Sequence, residues 1–129
     1  MPNLNLQRNL NKLIKEVLII TILINRVWFP PDQSNKIAKA YIDWLKDNPP
    51  DKTIEKTLCV AVGSGDNGSI LVYGVSQIKK GKEQEALATT SQGDLFMASK
   101  MEGLRYKVDV LMDFTEAYKI LGMEPPEEV

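Results

Sequence analysis

The chain has no histidine among its 129 residues. Imidazole is the commonest general base near neutral pH and a common metal ligand. Its absence excludes most hydrolase triads and nearly all zinc and haem chemistry. Cysteine is almost as scarce. Cys59 stands alone, which rules out an intramolecular disulfide and fits a reducing compartment, so the expected location is cytoplasmic. An excess of either charge is missing too, with 16 basic residues against 17 acidic ones and a pI near 5.5. A general nucleic-acid binder usually carries a basic surplus, so no nucleic-acid partner is expected. There is also no long hydrophobic run. Residues 17–24 are apolar at seven of eight positions, far short of the roughly 20 that span a bilayer. Arg8, Lys12 and Lys15 precede this run in the manner of a signal peptide, but no small-residue cleavage site follows; the chain continues Asn25-Arg26-Val27-Trp28-Phe29. A short β-branched run of this kind reads as a buried strand, and no membrane association is expected.

What is present is enough for one globular domain, since 43% of the residues are apolar. Residues 1–15 form an N-terminal extension. Within it Leu6, Leu10, Leu13 and Ile14 sit at helical spacing, compatible with a short helix, a packing arm or a poorly ordered extension. The first strand is expected over 17–28, ended by Pro30-Pro31, which remove ladder donors. A helix follows to Asp47, with Ile37, Tyr41, Trp44 and Leu45 as its apolar stripe, and Asn48-Pro49-Pro50-Asp51 stops it. A second strand over 57–62 and a third over 70–78 flank a glycine-rich turn in which Asn67-Gly68 suits positive φ. A second helix over 82–101 has Leu87, Thr90, Met97 and Met101 among its inward candidates, and Gly93 is a place for a kink or split. The fourth strand, 106–112, alternates Tyr106, Val108, Val110 and Met112 with Lys107 and Asp109. Asp113-Phe114-Thr115-Glu116 then resembles a capping box opening a short third helix, with Gly122 as its stop and a polar tail over 124–129. The domain proper is expected over 16–123.

The order β-α-β-β-α-β is that of the split β-α-β, or ferredoxin-like, α+β fold: a four-stranded antiparallel sheet with both helices on one face, here with an extra short C-terminal helix. A sheet with one wet face should alternate apolar and polar residues. The first strand does not, and neither do Leu58-Cys59-Val60-Ala61-Val62 or Ile70-Leu71-Val72-Tyr73. Either the third helix and N-terminal arm cover the second face, or a second copy of the sheet does. A homodimer through sheet faces is the favoured expectation.

The segment Ile78-Lys79-Lys80-Gly81-Lys82-Glu83-Gln84-Glu85-Ala86-Leu87, a strand followed by a lysine-glycine-lysine turn and a Glu-rich helix start, resembles the dimeric α+β barrel superfamily. Phe29-Pro30-Pro31-Asp32 ahead of a helix is similar in kind. The resemblance spans about residues 17–121 and implies a ferredoxin-like shape and a dimer. The superfamily includes monooxygenases, isomerases, haem-degrading enzymes and stress-response proteins. Its haem-binding branches use an axial histidine, which this chain lacks.

Each candidate site has a plainer reading beside it. Gly63-Ser64-Gly65-Asp66-Asn67-Gly68 precedes a strand rather than a helix, so it reads as a hairpin turn and not a phosphate loop. Lys79, Lys80 and Lys82 beside a helix N-terminus form an anion-site candidate, though Glu83 and Glu85 balance them. Tyr73, Phe96, Met97, Met101 and Tyr106 are candidates to line an apolar ligand cavity, against the reading of an ordinary core. Trp28 and Trp44 carry the same two readings. Asp109 joins that ligand set as a general-base candidate if its face is buried, the alternative being a surface residue or one paired with Lys107 or a cross-strand lysine. Asp113 reads as a helix cap. Cys59 reads as a small buried hydrophobe. No metal site and no cofactor are expected. The leading functional expectation is a non-catalytic dimeric module binding a small apolar ligand or a partner. The alternatives are a cofactor-independent oxygenase or isomerase on a hydrophobic substrate, and a structural or regulatory interaction protein.

Overall fold

The computed structural model describes residues 3–10 and 21–127. The start of the expected first strand and part of the N-terminal extension, residues 11–20, lie outside the described residues. Residues 4–10 are helical. The elements that follow are β1 (Thr21–Phe29), α1 (Ser34–Asp47), β2 (Glu55–Ser64), β3 (Ile70–Ile78), α2 (Glu83–Lys100), β4 (Arg105–Met112) and α3 (Phe114–Ile120). The four strands form one antiparallel sheet in the order β2-β3-β1-β4. This is the ferredoxin-like arrangement that the element order predicts. By compactness the chain divides into a larger unit, Thr21–Leu111, and a smaller one that combines the chain before Thr21 with the chain from Met112 onward.

In the larger unit, β1 and β3 pair in register from Thr21↔Ile78 to Phe29↔Ile70. Because strand side chains alternate, Leu23, Asn25, Val27 and Phe29 share one face with Ser76, Gly74, Val72 and Ile70. Ile22, Ile24, Arg26 and Trp28 share the other with Gln77, Val75, Tyr73 and Leu71. Both helices belong to the first face; α2 packs over β1 and against α1. Two apolar clusters form there. Leu23, Ile78 and Ala86 are joined by Ile54 and Val108. Ala40, Met97 and Met101 are joined by Ile37, Phe96 and Leu104.

Local chemistry accounts for the joints. A 3-10 turn at Pro31–Gln33 leads into α1, and the Ser34 hydroxyl donates to the Pro31 carbonyl at 2.6 Å. The β2–β3 connection is the predicted hairpin turn, with Asn67 at φ 51° and Gly68 at φ 73°. α2 runs through Gly93 without a break.

Three expectations need correction. Leu87 is exposed while Ala86 is fully buried. The sheet-facing stripe of α2 is Ala86, Gly93, Asp94 and Met97, and Leu87 lies about 100° round the helix from Ala86. Tyr41 of the α1 stripe is likewise exposed, and Ala40 takes the buried position. Cys59 is exposed, not a buried hydrophobe. It lies on β2, an edge strand, where Leu58, Val60 and Val62 are also exposed. Of the two helices α2 packs on β1, and neither packs extensively on β2. A bulge between Thr57 and Cys59 accommodates the extra residue Leu58.

In the smaller unit, Asp113 caps α3 as predicted, accepting a hydrogen bond from the Thr115 amide at 3.2 Å. Gly122 ends the helix with φ 71°.

Candidate functional site

A cavity of about 630 Å³ opens between the C-terminal half of α1, the loop that follows it, the start of β2 and the middle of α2. Its size falls in the range of small-molecule sites. Trp44, Leu45, Ile54 and Met97 supply apolar wall, and Asn25, Glu55, Thr90 and Asp94 supply polar wall. The two helices come close here because of Gly93. A Cβ at that position would lie 3.2 Å from Trp44 Nε1, so glycine lets the indole come against α2. There it also stacks at 5.4 Å on Phe96.

Asp94 is the chemical centre. It lies in the buried stripe of α2 and is 1% exposed, the most buried ionisable side chain among the described residues. Asn25 reaches it from β1, and its Nδ2 donates to Asp94 Oδ1 at 2.9 Å. The second oxygen, Oδ2, has no partner, and neither does Asn25 Oδ1. Burial pushes the Asp94 carboxyl up to about 6, and the Asn25 hydrogen bond offsets only part of that rise. Glu55, at the start of β2, repeats the pattern in milder form. Burial raises its carboxyl while a hydrogen bond from Ser76 lowers it, and its Oε2 is without a partner. Buried polar atoms are normally satisfied. Here three unsatisfied acceptor oxygens belong to residues that line one cavity.

The sequence-derived candidates are not brought together. Met97 lines the cavity, and Met101 packs beside it in the core under α2. Phe96 supports Trp44 from α2. Tyr73 is exposed and pairs in register with Arg26 on the opposite sheet face, and Tyr106 is at the exposed margin on β4. Asp109 faces away from the helices and accepts a 2.5 Å hydrogen bond from the Arg26 guanidinium, with Lys107 at 4.0 Å. That is the cross-strand pairing anticipated as its plainer reading, with arginine in place of lysine. Trp28 shares this face, with the guanidiniums of Arg26 and Arg105 at 5.9 and 5.3 Å from its ring. Lys79 and Lys80 are exposed, and Lys82 pairs with Glu85 at 3.3 Å. Asp94, Asn25 and Glu55 escaped the sequence reading. The available signal was an aspartate one turn after Thr90 on the face of α2 that also carries Ala86 and Met97.

No group of three or more cysteine, aspartate or glutamate side chains positioned for a metal occurs among the described residues. No helix among them is long and apolar enough to cross a membrane.

The chain matches no protein-family model and no curated protein. It is similar in fold to solved structures. The designed protein Foldit4 aligns over 73% of this chain and 98% of its own, with a TM-score of 0.52 and 8% identity. The C-terminal domain of MgtC from Mycobacterium tuberculosis aligns over 70% of this chain and 88% of its own, with a TM-score of 0.44 and 8% identity. A Caulobacter crescentus chain assigned as an antibiotic biosynthesis monooxygenase covers 78% of this chain and 97% of its own, with a TM-score of 0.41 and 16% identity. The likeness to Foldit4 concerns the fold alone and carries no activity with it.

Proposed function

We propose that the chain is a small-molecule-binding module that works as a homodimer through the sheet face away from its helices. The observation that carries the binding reading is Asp94, almost fully buried, with one carboxylate oxygen unpartnered, in the lining of a 630 Å³ cavity. Leaving such an oxygen unsatisfied costs free energy, and a ligand that donates to it recovers that cost. The apolar wall of Trp44, Leu45, Ile54 and Met97 suits the body of such a ligand. The dimer reading is supported by Ile22, Ile24 and Val75, which lie together on the face away from the helices. Beside them the Arg26–Asp109 pair offers polar register for a second copy. Native mass spectrometry of the purified full chain tests both parts. A dimer carrying extra small-molecule mass, released by Asp94→Leu, supports them. A ligand-free chain that no small amine, alcohol or acid perturbs would sink the binding reading, and a stable monomer would sink the dimer.

One observation favours a second reading. A carboxyl titrating near 6 in an enclosed cavity is suited to general-base work, as a cofactor-independent isomerase or oxygenase would need. Turnover abolished by Asp94→Asn, with ligand affinity retained, would mark this reading as correct.

A further inference from the structure

Five buried side-chain oxygen or nitrogen atoms lack a hydrogen-bond partner among the described residues, and three of them, Asn25 Oδ1, Glu55 Oε2 and Asp94 Oδ2, belong to residues that line the same cavity. All three are acceptors. The orientation of the Asn25 amide is set by its own contact, because Nδ2 is the atom that donates to Asp94. Its oxygen is therefore the atom left over. Two of the three groups are carboxyls, and no arginine lines the cavity. The lysines that line it, Lys52 and Lys56, are exposed. Asp51 is exposed as well, and its carboxylate is engaged by Thr53 through both amide and hydroxyl. Beyond the Asn25 amide on Asp94 and Ser76 on Glu55, the polar interior has unpartnered acceptors left for hydrogen-bond donors and positive charge.

We propose that this cavity takes an organic cation, a primary ammonium group carried on a compact apolar body. An ammonium presents three N–H donors and no acceptor, which complements three unpartnered acceptors. Charge-assisted hydrogen bonds to carboxylates are about twice as strong as neutral ones. The apolar body would lie along Trp44, Leu45, Ile54 and Met97, and an ammonium close to the Trp44 ring face gains a cation–π contribution. A bare inorganic cation would leave most of a cavity this size and its apolar wall unused. The inference rests on the small-molecule reading above and narrows it to one ligand chemistry.

The test is calorimetric titration of the full-length protein with three probes that share a phenylethyl body, 2-phenylethylamine, 2-phenylethanol and 3-phenylpropanoate, with potassium and calcium chloride as inorganic controls. The amine is expected to bind about tenfold or more tighter than the alcohol, and the acid not at all. Asp94→Asn should weaken the amine by about tenfold while leaving the alcohol unchanged. Glu55→Gln gives an independent second variant with a smaller loss of the same sign. Amine affinity should also fall as the pH is lowered from about 7.5 to about 5, because Asp94 takes up its proton across that range. Glu55 and Asp51 are the other acidic groups at the cavity, Lys52 and Lys56 its bases and Tyr41 its phenol. Glu55, also raised by burial, adds to the effect in the same direction. Equal binding of amine and alcohol, or preference for the acid, overturns the ammonium assignment while leaving a small-molecule site. Displacement of the amine by either metal ion at equal concentration overturns it in favour of an inorganic cation. No binding of any probe, with no copurified mass, overturns this inference and the binding reading together.

Discussion

Asn25 and Arg26 are neighbours on β1, and each holds an aspartate on its own side of the sheet. Arg26 meets Asp109 on the open face with a full opposite charge at 2.5 Å. Asn25 meets Asp94 under the helices with an amide at 2.9 Å. The first aspartate is about one-third exposed and its charge is balanced within the fold. The second is almost fully buried, and its charge is not balanced. A neutral amide leaves most of the desolvation of a carboxylate uncompensated, which is why Asp94 titrates near 6. Adjacent positions in the chain have thus produced one structural ion pair and one underfilled acceptor site. Arg26 Nε is itself unpartnered on its side of the sheet, but the unpartnered carboxylate oxygens belong to residues of the cavity.

Substitutions can break or sharpen this contrast. The largest effect is expected from the apolar side chains on either side of β1. Leu23 is 2% exposed beneath the helices, and Leu23→Ala should cost about 3 kcal/mol in urea unfolding. Ile24 on the open face is only partly buried, and Ile24→Ala should cost roughly 1 kcal/mol. If a second copy covers Ile24, that smaller cost will grow with protein concentration. Equal costs at every concentration would mean that the two faces are not packed differently.

Asp94→Asn comes next, and it should stabilise the protein. The folded value lies above the ordinary 3.8, so between these values the folded chain holds a proton that the unfolded chain releases. Stability is therefore greatest below about pH 4 and falls as pH rises through about 6. Asn removes the ionisable group, and the gain at pH 7 should be of the order of 2 kcal/mol, with most of the slope between about pH 4 and 6 gone. A remaining slope of the same sign belongs to Glu55, also raised by burial, and should disappear in the double variant with Glu55→Gln. A thermal unfolding series across pH that shows no difference between wild type and Asp94→Asn would contradict this assignment.

The mirror substitution, Asp109→Asn, should act in the opposite direction. It leaves Arg26 without its counter-ion and should cost about 1 kcal/mol at low salt, less at high salt. A stabilising outcome would erase the distinction between the two aspartates. The smallest effect is Gly93→Ala. Alanine favours the helix by up to about 1 kcal/mol, but its Cβ would press on Trp44, which is already stacked on Phe96. A net loss of about 0.5 kcal/mol is expected, together with weaker ligand binding by titration.

Much of this could be read from the residues in order. Pro30-Pro31 and Asn48-Pro49-Pro50 marked the ends of β1 and α1, Asn67-Gly68 the hairpin, Asp113 the cap and Gly122 the stop, because each acts through its own backbone or the next few residues. The element order followed, and with it the ferredoxin-like sheet. The site was not legible in the same way. Asp109 attracted notice because it stood in an alternating strand, yet its partner lies 83 positions away on β1. Asp94 drew none, because an aspartate in a helix reads as a solvated residue until the face it occupies is known. Cys59 misled for a related reason: an apolar strand reads as buried whether it is central or at an edge.

Local chemistry therefore determined the elements, their limits and the class of fold, since turns, caps and periodicity need only near neighbours along the chain. Tertiary structure alone decided which strand became the edge and which residues of α2 faced the sheet. It also decided that Asp94, Asn25 and Glu55, far apart in sequence, would line one cavity. Burial and hydrogen-bond satisfaction depend on what packs opposite a residue, and no local pattern records that.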